Sequence, residues 1–268
     1  MATLSQVLRG SFRMLGLGMS LPLTGGSATT AVIGRFANEE TPPEDDFCLN
    51  WTFFADEADG AAPEGEFANV TNYDGGTYTL TFDTLTAALA SGDRGYLCRP
   101  TVSLSDMIAA VNTALAELEA VPLIDTSITF DSDTQSYSLP ANMINVLSVE
   151  YIASGDTARQ KLPSYSVVVP ATVSGQATLY LAKPVDGTAY ITYDGTHAAV
   201  GAYNDTISPT IPLQLAIAQT AHCALRNVSQ QSPLWQEKYN AVIGELNAAR
   251  QVKKQKRAFR RNPTLDVT

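Results

Sequence analysis

The chain has 268 residues, 45% of them hydrophobic, so it can bury a sizeable core and is too apolar for global disorder. Its 27 acidic and 17 basic side chains give a formal net charge of −10, and its abundance of Thr, Ser, Ala, Gly and Tyr suits turn-rich β modules better than a helical solenoid. No apolar run approaches the roughly twenty residues of a membrane-spanning helix, and three scattered cysteines without a C-x-x-C pair exclude a disulfide framework.

In chain order, Leu4, Val7, Leu8, Phe12 and Leu15 recur at helical spacing and Gly16 is placed as a stop, which predicts a helix near residues 3–15. Arg9 and Arg13 break its apolar run, so it reads as amphipathic rather than as a secretion signal. From Leu23 the texture changes to short β-branched and aromatic runs separated by "GG", "DG" and "SGD". These predict an all-β module over 24–99, a barrel or curled sheet. Ser103 or Ser105 caps a second helix, with Met107, Val111, Ala114, Leu115 and Leu118 on one face and Pro122 at its end. A second β segment follows, in which "QATLYLAKPVDGTAYITYDG" reads as a hairpin joined at "KPVDG". Leu213, Ile217, Ala221, Ala224, Leu225 and Val228 then mark a buried helical face, and Ser232-Pro233 opens a last helix of about 25 residues.

This order predicts an α+β chain, a helical body carrying two inserted antiparallel β modules. The divisions are an N-terminal helix and linker (1–23), a β module (24–99), a middle helix (100–123), a second β module (124–208), a C-terminal helical hairpin (209–249) and a basic tail (250–268).

The chain lacks a P-loop, a dinucleotide fingerprint and a nucleophile elbow. His197 falls in a Gly/Ala-rich loop, and His222, on a helix, reads as a packed core histidine. Asp131 and Asp133 lack the glycine and glutamate of a calcium loop. Glu39, Glu40, Glu44, Asp45 and Asp46 read as a solvated acidic loop. Neither a catalytic residue nor a metal or cofactor site is expected, and the cysteines are expected to be buried, reduced thiols.

The end of the chain differs from the rest. Arg250, Lys253, Lys254, Lys256, Arg257, Arg260 and Arg261 are seven of the seventeen basic residues, and ten basic residues face all twenty-seven acidic ones elsewhere. Trp235, Tyr239, Val242, Ile243 and Leu246 form an apolar stripe whose continuation is Arg250, Lys253, Lys254, Arg257 and Arg261. Burying unpaired charges would cost several kcal/mol each, so the helix is expected to leave its own core near residue 250. One or two cations would satisfy a helix C-terminus. Seven point to an anionic partner, either an acidic protein surface or a DNA backbone bound without sequence readout.

"TGGSATTAVIGRF", "PPEDDFCLNWTFFADEADGAAPEGEFANVTNYDGGTYTLTF" and "ASGDRGYLC" together resemble a β module of the neck and head-to-tail adaptor proteins of tailed bacteriophages. "SDMIAAVNTALAEL" resembles the helix that follows it, and "DTQSYSLPANMINVLSVEY" the strands of the second β region, so the likeness spans about 24–152 with a looser match in the C-terminal helical pair. The resemblance implies a non-enzymatic virion protein, assembled in the host cytoplasm and lying in the virion neck. It would form a ring, typically of twelve copies, between the portal protein and a downstream tail or neck protein, around the DNA channel and away from any membrane. The basic tail would then dock on the portal or touch packaged DNA. A receptor- or carbohydrate-binding β protein of the virion is the alternative that Thr/Tyr-rich strands allow.

Overall fold

The computed structural model describes residues 2–34, 36, 43–58, 63–118, 120–169, 176–226 and 233–260, with the backbone alone described at 121 and 253–260. The first elements in the chain are β1 (Ala2–Thr3), α1 (Leu4–Met14), β2 (Gly18–Gly26), β3 (Thr30–Ile33), β4 (Thr52–Glu57), β5 (Phe67–Asp74), β6 (Thr79–Phe82), β7 (Arg94–Cys98) and α2 (Leu104–Glu117). Then come β8 (Val121–Asp125), β9 (Thr129–Phe130), β10 (Ser136–Ser138), β11 (Met143–Ala153), β12 (Gln160–Lys161), β13 (Tyr165–Val168), β14 (Thr178–Leu181) and β15 (Gly187–Gly195). The chain closes with β16 (Thr206–Ile207), α3 (Leu213–Leu225) and α4 (Pro233–Arg260). The class is mixed α and antiparallel β, with two compact units: residues 1–115 with 199–268, and residues 116–198.

In the first unit, β2, β3, β6, β5, β4 and β7 close into an antiparallel barrel in that order. Closure removes the open strand edges that an isolated sheet would expose. Alternation sends Leu21, Leu23, Phe53, Val70, Tyr73 and Leu97 inward, where all are buried. The first strand begins at Gly18, ahead of the Thr-rich stretch where the turn signals start, because Gly18–Pro22 pair with Arg94–Cys98 far along the chain. Cys48 and Cys98 are buried in this unit. Burial pushes the Cys48 thiol up to about 12 and raises that of Cys98 by the same cause. Cys223 is half-exposed. At pH 8 a thiol reagent is therefore expected to label Cys223 in the folded protein and Cys48 and Cys98 only after unfolding. A second thiol reacting quickly in native buffer would contradict this burial.

Helix α1 starts on a capping box, in which Gln6 N–H donates to the Thr3 hydroxyl and Thr3 N–H to the Gln6 side chain. Gly16, at φ +64°, turns the chain out of it. Phe12 of α1 meets Phe54 of the barrel edge-on at 6.0 Å. The Ser11 hydroxyl lies 2.8 Å from the Val7 carbonyl and 3.3 Å from that of Ile217 in α3. Ser103 caps α2, its hydroxyl accepting from Asp106 N–H at 3.1 Å, and Met107, Val111, Ala114 and Leu115 are buried. Helix α3 is buried continuously from Leu215 to Ala221, Gln219 and Thr220 included. Of the face expected for it, Ile217, Ala221 and Leu225 are buried while Leu213 and Ala224 are only half-buried, and the burial is wider than that face because α3 packs on both α1 and α4. Val228 lies outside the described residues.

The second unit contains two antiparallel sheets. One runs β12-β11-β15-β8 with β9 also on β15, the other β10-β14-β13. Phe130, Leu139, Val149, Leu179, Ala189 and Ile191 form their core. The expected hairpin of β14 and β15 is not formed: β14 pairs with β10 and β13, while β15 pairs with β8, β9 and β11. Both strands alternate as a half-buried strand must, but alternation shows which face is buried and not which strand is the neighbour. The chain between them passes from one sheet to the other.

Candidate partner-binding site

Helix α4 is the element on which the sequence places the candidate residues. It runs unbroken from Pro233 to Arg260. Its first half is fixed to the rest of its unit by several distinct contacts. Val242 and Leu246 are buried, and Trp235, Tyr239 and Ile243 are half-buried beside them. The Tyr239 ring stacks on His222 of α3 with centroids 5.2 Å apart, and its hydroxyl lies 3.0 Å from His222 Nε2. His222 is thus a packing residue between two helices. Lys238 donates from Nζ to the Leu15 carbonyl at 2.7 Å, and its charge sits 4.8 Å from the Trp235 ring centre.

The packed stretch ends where the stripe changes chemistry. Arg250 donates to Oε1 of the buried Gln219 at 2.9 Å. Two residues on, Val252 is 49% exposed although apolar, so this turn of the helix is only partly covered by the described residues. The backbone continues as helix through Lys253, Lys254, Lys256, Arg257 and Arg260, about 15 Å of rise beyond Arg250 at 1.5 Å per residue. Arg261 lies outside the described residues. Arg250, expected to be the first cation facing a partner, thus has an intramolecular bond to α3. Reading the sequence alone missed that bond because Gln219 lies 31 positions earlier, and its one signal was a glutamine inside the apolar run "LAIAQTA".

The remaining candidates have local roles. The His197 ring Nδ1 lies 2.6 Å from the Ala198 carbonyl. Asp131 accepts from Asp133 N–H at 2.8 Å and so makes a turn. Glu44, Asp45 and Asp46 are exposed, whereas Glu39 and Glu40 lie outside the described residues. Among the described residues there is no group of three or more His, Cys, Asp or Glu able to hold a metal, and no helix is long and apolar enough to cross a membrane.

A family model described as SU10 adaptor protein matches residues 76–264, more than two thirds of the chain. The chain belongs to the SU10 adaptor protein family. Its members are head-to-tail adaptors of phages, so the protein has a structural role in the virion, at the neck, among portal and tail proteins. No curated protein matches the chain. The family match runs from the turn between β5 and β6 to beyond α4. It therefore includes the whole second unit and the α3–α4 pair, and leaves β1 to β5 outside. Along α4 the sequence passes from the apolar stripe of Trp235–Leu246 to the basic run that begins at Arg250.

Proposed function

We propose that this adaptor assembles as a ring, of twelve copies on the family pattern, between the portal and the next tail or neck protein, around the DNA channel. The terminal part of α4 is its docking element for the portal. Each copy carries two β modules, the barrel joined with the helices in one compact unit and the second module within residues 116–198. The supporting observation is the end of packing at Arg250, followed by continued helix carrying cations. A helix with an exposed Val252 and five basic residues in its next two to three turns is suited to a groove with an acidic wall. It is poorly suited to free solution, where like charges at i,i+3 and i,i+4 repel. An acidic protein surface fits better than a DNA backbone because the half-exposed Val252 offers an apolar contact that phosphates do not match, and the one aromatic of the basic run, Phe259, makes no stacking groove for a single strand.

Deleting 253–268 tests the proposal while keeping the Arg250–Gln219 bond. The truncated chain is expected to keep its thermal stability, since it retains every buried position among the described residues, of which Leu246 is the last. Six lost cations at about 0.5 kcal/mol each would weaken portal binding by roughly 100-fold. Unchanged capture by the portal would exclude this docking role. If the partner is instead DNA, affinity falls linearly in log–log against salt with a slope of about −0.9 per phosphate contacted.

A further inference from the structure

Two exposed features of the first unit have complementary chemistry and are not used by the tail. The first is the turn Glu44–Asn50 leading into β4. Phe47 is 48% and Leu49 40% exposed. They cannot turn inward, because Cys48 between them occupies the inward position in the barrel core. The turn is held by Asp46 N–H and Asn50 N–H donating to the Tyr73 and Val70 carbonyls, each at 2.9 Å, and by Gly75 N–H donating to Asp45 Oδ1 at 2.8 Å. Asp46 and Asn50 adopt left-handed backbone, at φ 61° and 64°, on either side of the apolar pair. Left-handed conformations in residues other than glycine persist where the surroundings impose them. The result is a preformed knob: two large apolar side chains flanked by Glu44, Asp45 and Asp46.

The second feature is a groove of about 600 Å³ between α1, α3 and α4. Met14, Ile217, Ala241 and Val242 give it an apolar surface, and Arg9, Arg13 and Lys238 supply positive charge, with Glu245 the acid beside them. Arg9 is paired with Asp56, Arg13 is exposed and bonded to the Tyr96 hydroxyl, and Lys238 is held by the Leu15 carbonyl. Only ten basic residues precede the tail in an otherwise acidic chain, and three of them line this one groove. Such segregation is the charge pattern of a site for an acidic, apolar-tipped partner.

The geometry points to a second copy of this chain as the occupant: the 44–50 knob of one subunit seats Phe47 and Leu49 in the α1–α3–α4 groove of its neighbour. This inference rests on the ring proposed above and specifies its contact. Knob and groove are different surfaces of one subunit, which is what a head-to-tail contact requires and what a two-fold symmetric dimer does not use. Phe47 and Leu49 supply the apolar contact, while Glu44 and Asp46 set register against Arg13 and Lys238.

The test uses virions carrying the full chain. With Leu49→Cys and Ala241→Cys combined, mild oxidation is expected to give a ladder of adaptor multimers that reductant collapses. Glu44→Arg and Arg13→Glu should each lower the yield of tailed particles at least tenfold, and the two together should restore it. Neck imaging that shows a ring, with no ladder and no rescue by the paired reversal, overturns the knob-and-groove contact and leaves the ring standing. Necks without a ring overturn both. A Leu49 cross-link to portal or tail protein instead of to Ala241 overturns the assignment of the occupant.

Discussion

Replacing Phe53 with alanine is expected to destabilise the first unit by about 4 kcal/mol, within the range for a fully buried aromatic ring. Phe53 is 0% exposed and lies flat on Phe82, with centroids 4.6 Å apart and planes 6° from parallel. Its ring also fills the space over Gly95, where a Cβ would stand 2.4 Å from Phe53 Cε2. The barrel is closed, so its strands cannot collapse around the lost volume without breaking pairing with both neighbours. For a unit of this size, each kcal/mol moves the midpoint by about 2–4 °C, so thermal unfolding should begin roughly 10 °C earlier. Leu49→Ala, on the exposed knob, is the matched control and should stay within about 0.5 kcal/mol of the parent. A midpoint shift under about 3 °C for Phe53→Ala would mean that the barrel interior is not the core of its unit.

The barrel also illustrates what local sequence encodes. Its turns were legible because "GG", "DG" and "SGD" mark chain reversal, and its strands because β-branched and aromatic residues alternate between them. The choice between a closed barrel and a curled sheet stayed open, since the pairing of Gly18–Pro22 with Arg94–Cys98 that closes the barrel joins segments more than seventy residues apart. The same limit misled the reading of β14 and β15. Conversely, Pro122 read as the end of the middle helix, yet it lies inside the edge strand β8, where a missing N–H is tolerated. The helices were more legible because caps and 3.6-residue periodicity are properties of one segment. Even so, the face read for α3 was too narrow: Ile217, Ala221 and Leu225 are buried as expected, but so is every residue from Leu215 to Ala221, because α1 and α4 both pack on this helix.

For the candidate site, the change of stripe at residue 250 was visible in register alone. Register does not separate Arg250, which bonds Gln219 of α3, from the cations beyond it. The knob was invisible as such: "EDDFCLN" reads as an acidic loop with a few apolar residues. Only the buried Cys48, fixed by the barrel, turns Phe47 and Leu49 outward. The acid run and the apolar pair then become one surface, because the turn is held on the backbone of β5 and, through the Asp45 carboxylate, on Gly75 just after it.

Gly187→Ala is the complementary prediction for the second unit. Gly187 opens β15, the strand that β8, β9 and β11 all pair with, and adopts φ +142°, where side chains are strained. A Cβ there would lie 2.0 Å from the Ile152 carbonyl oxygen and 2.9 Å from Ala153 Cα. Both are backbone atoms of the neighbouring strand, so no rotamer change relieves the overlap and β15 must shift away from β11. Strain and lost pairing together are expected to cost about 3 kcal/mol or more. In a unit of this smaller size that lowers the midpoint by about 15 °C. Because residues 116–198 form their own compact unit, calorimetry should show this fall in one transition while the transition moved by Phe53→Ala stays in place, and the reverse for Phe53→Ala. If both substitutions displace a single shared transition, the two units do not fold independently, and the second β region is a part of the first unit's cooperative core instead of an insertion into it.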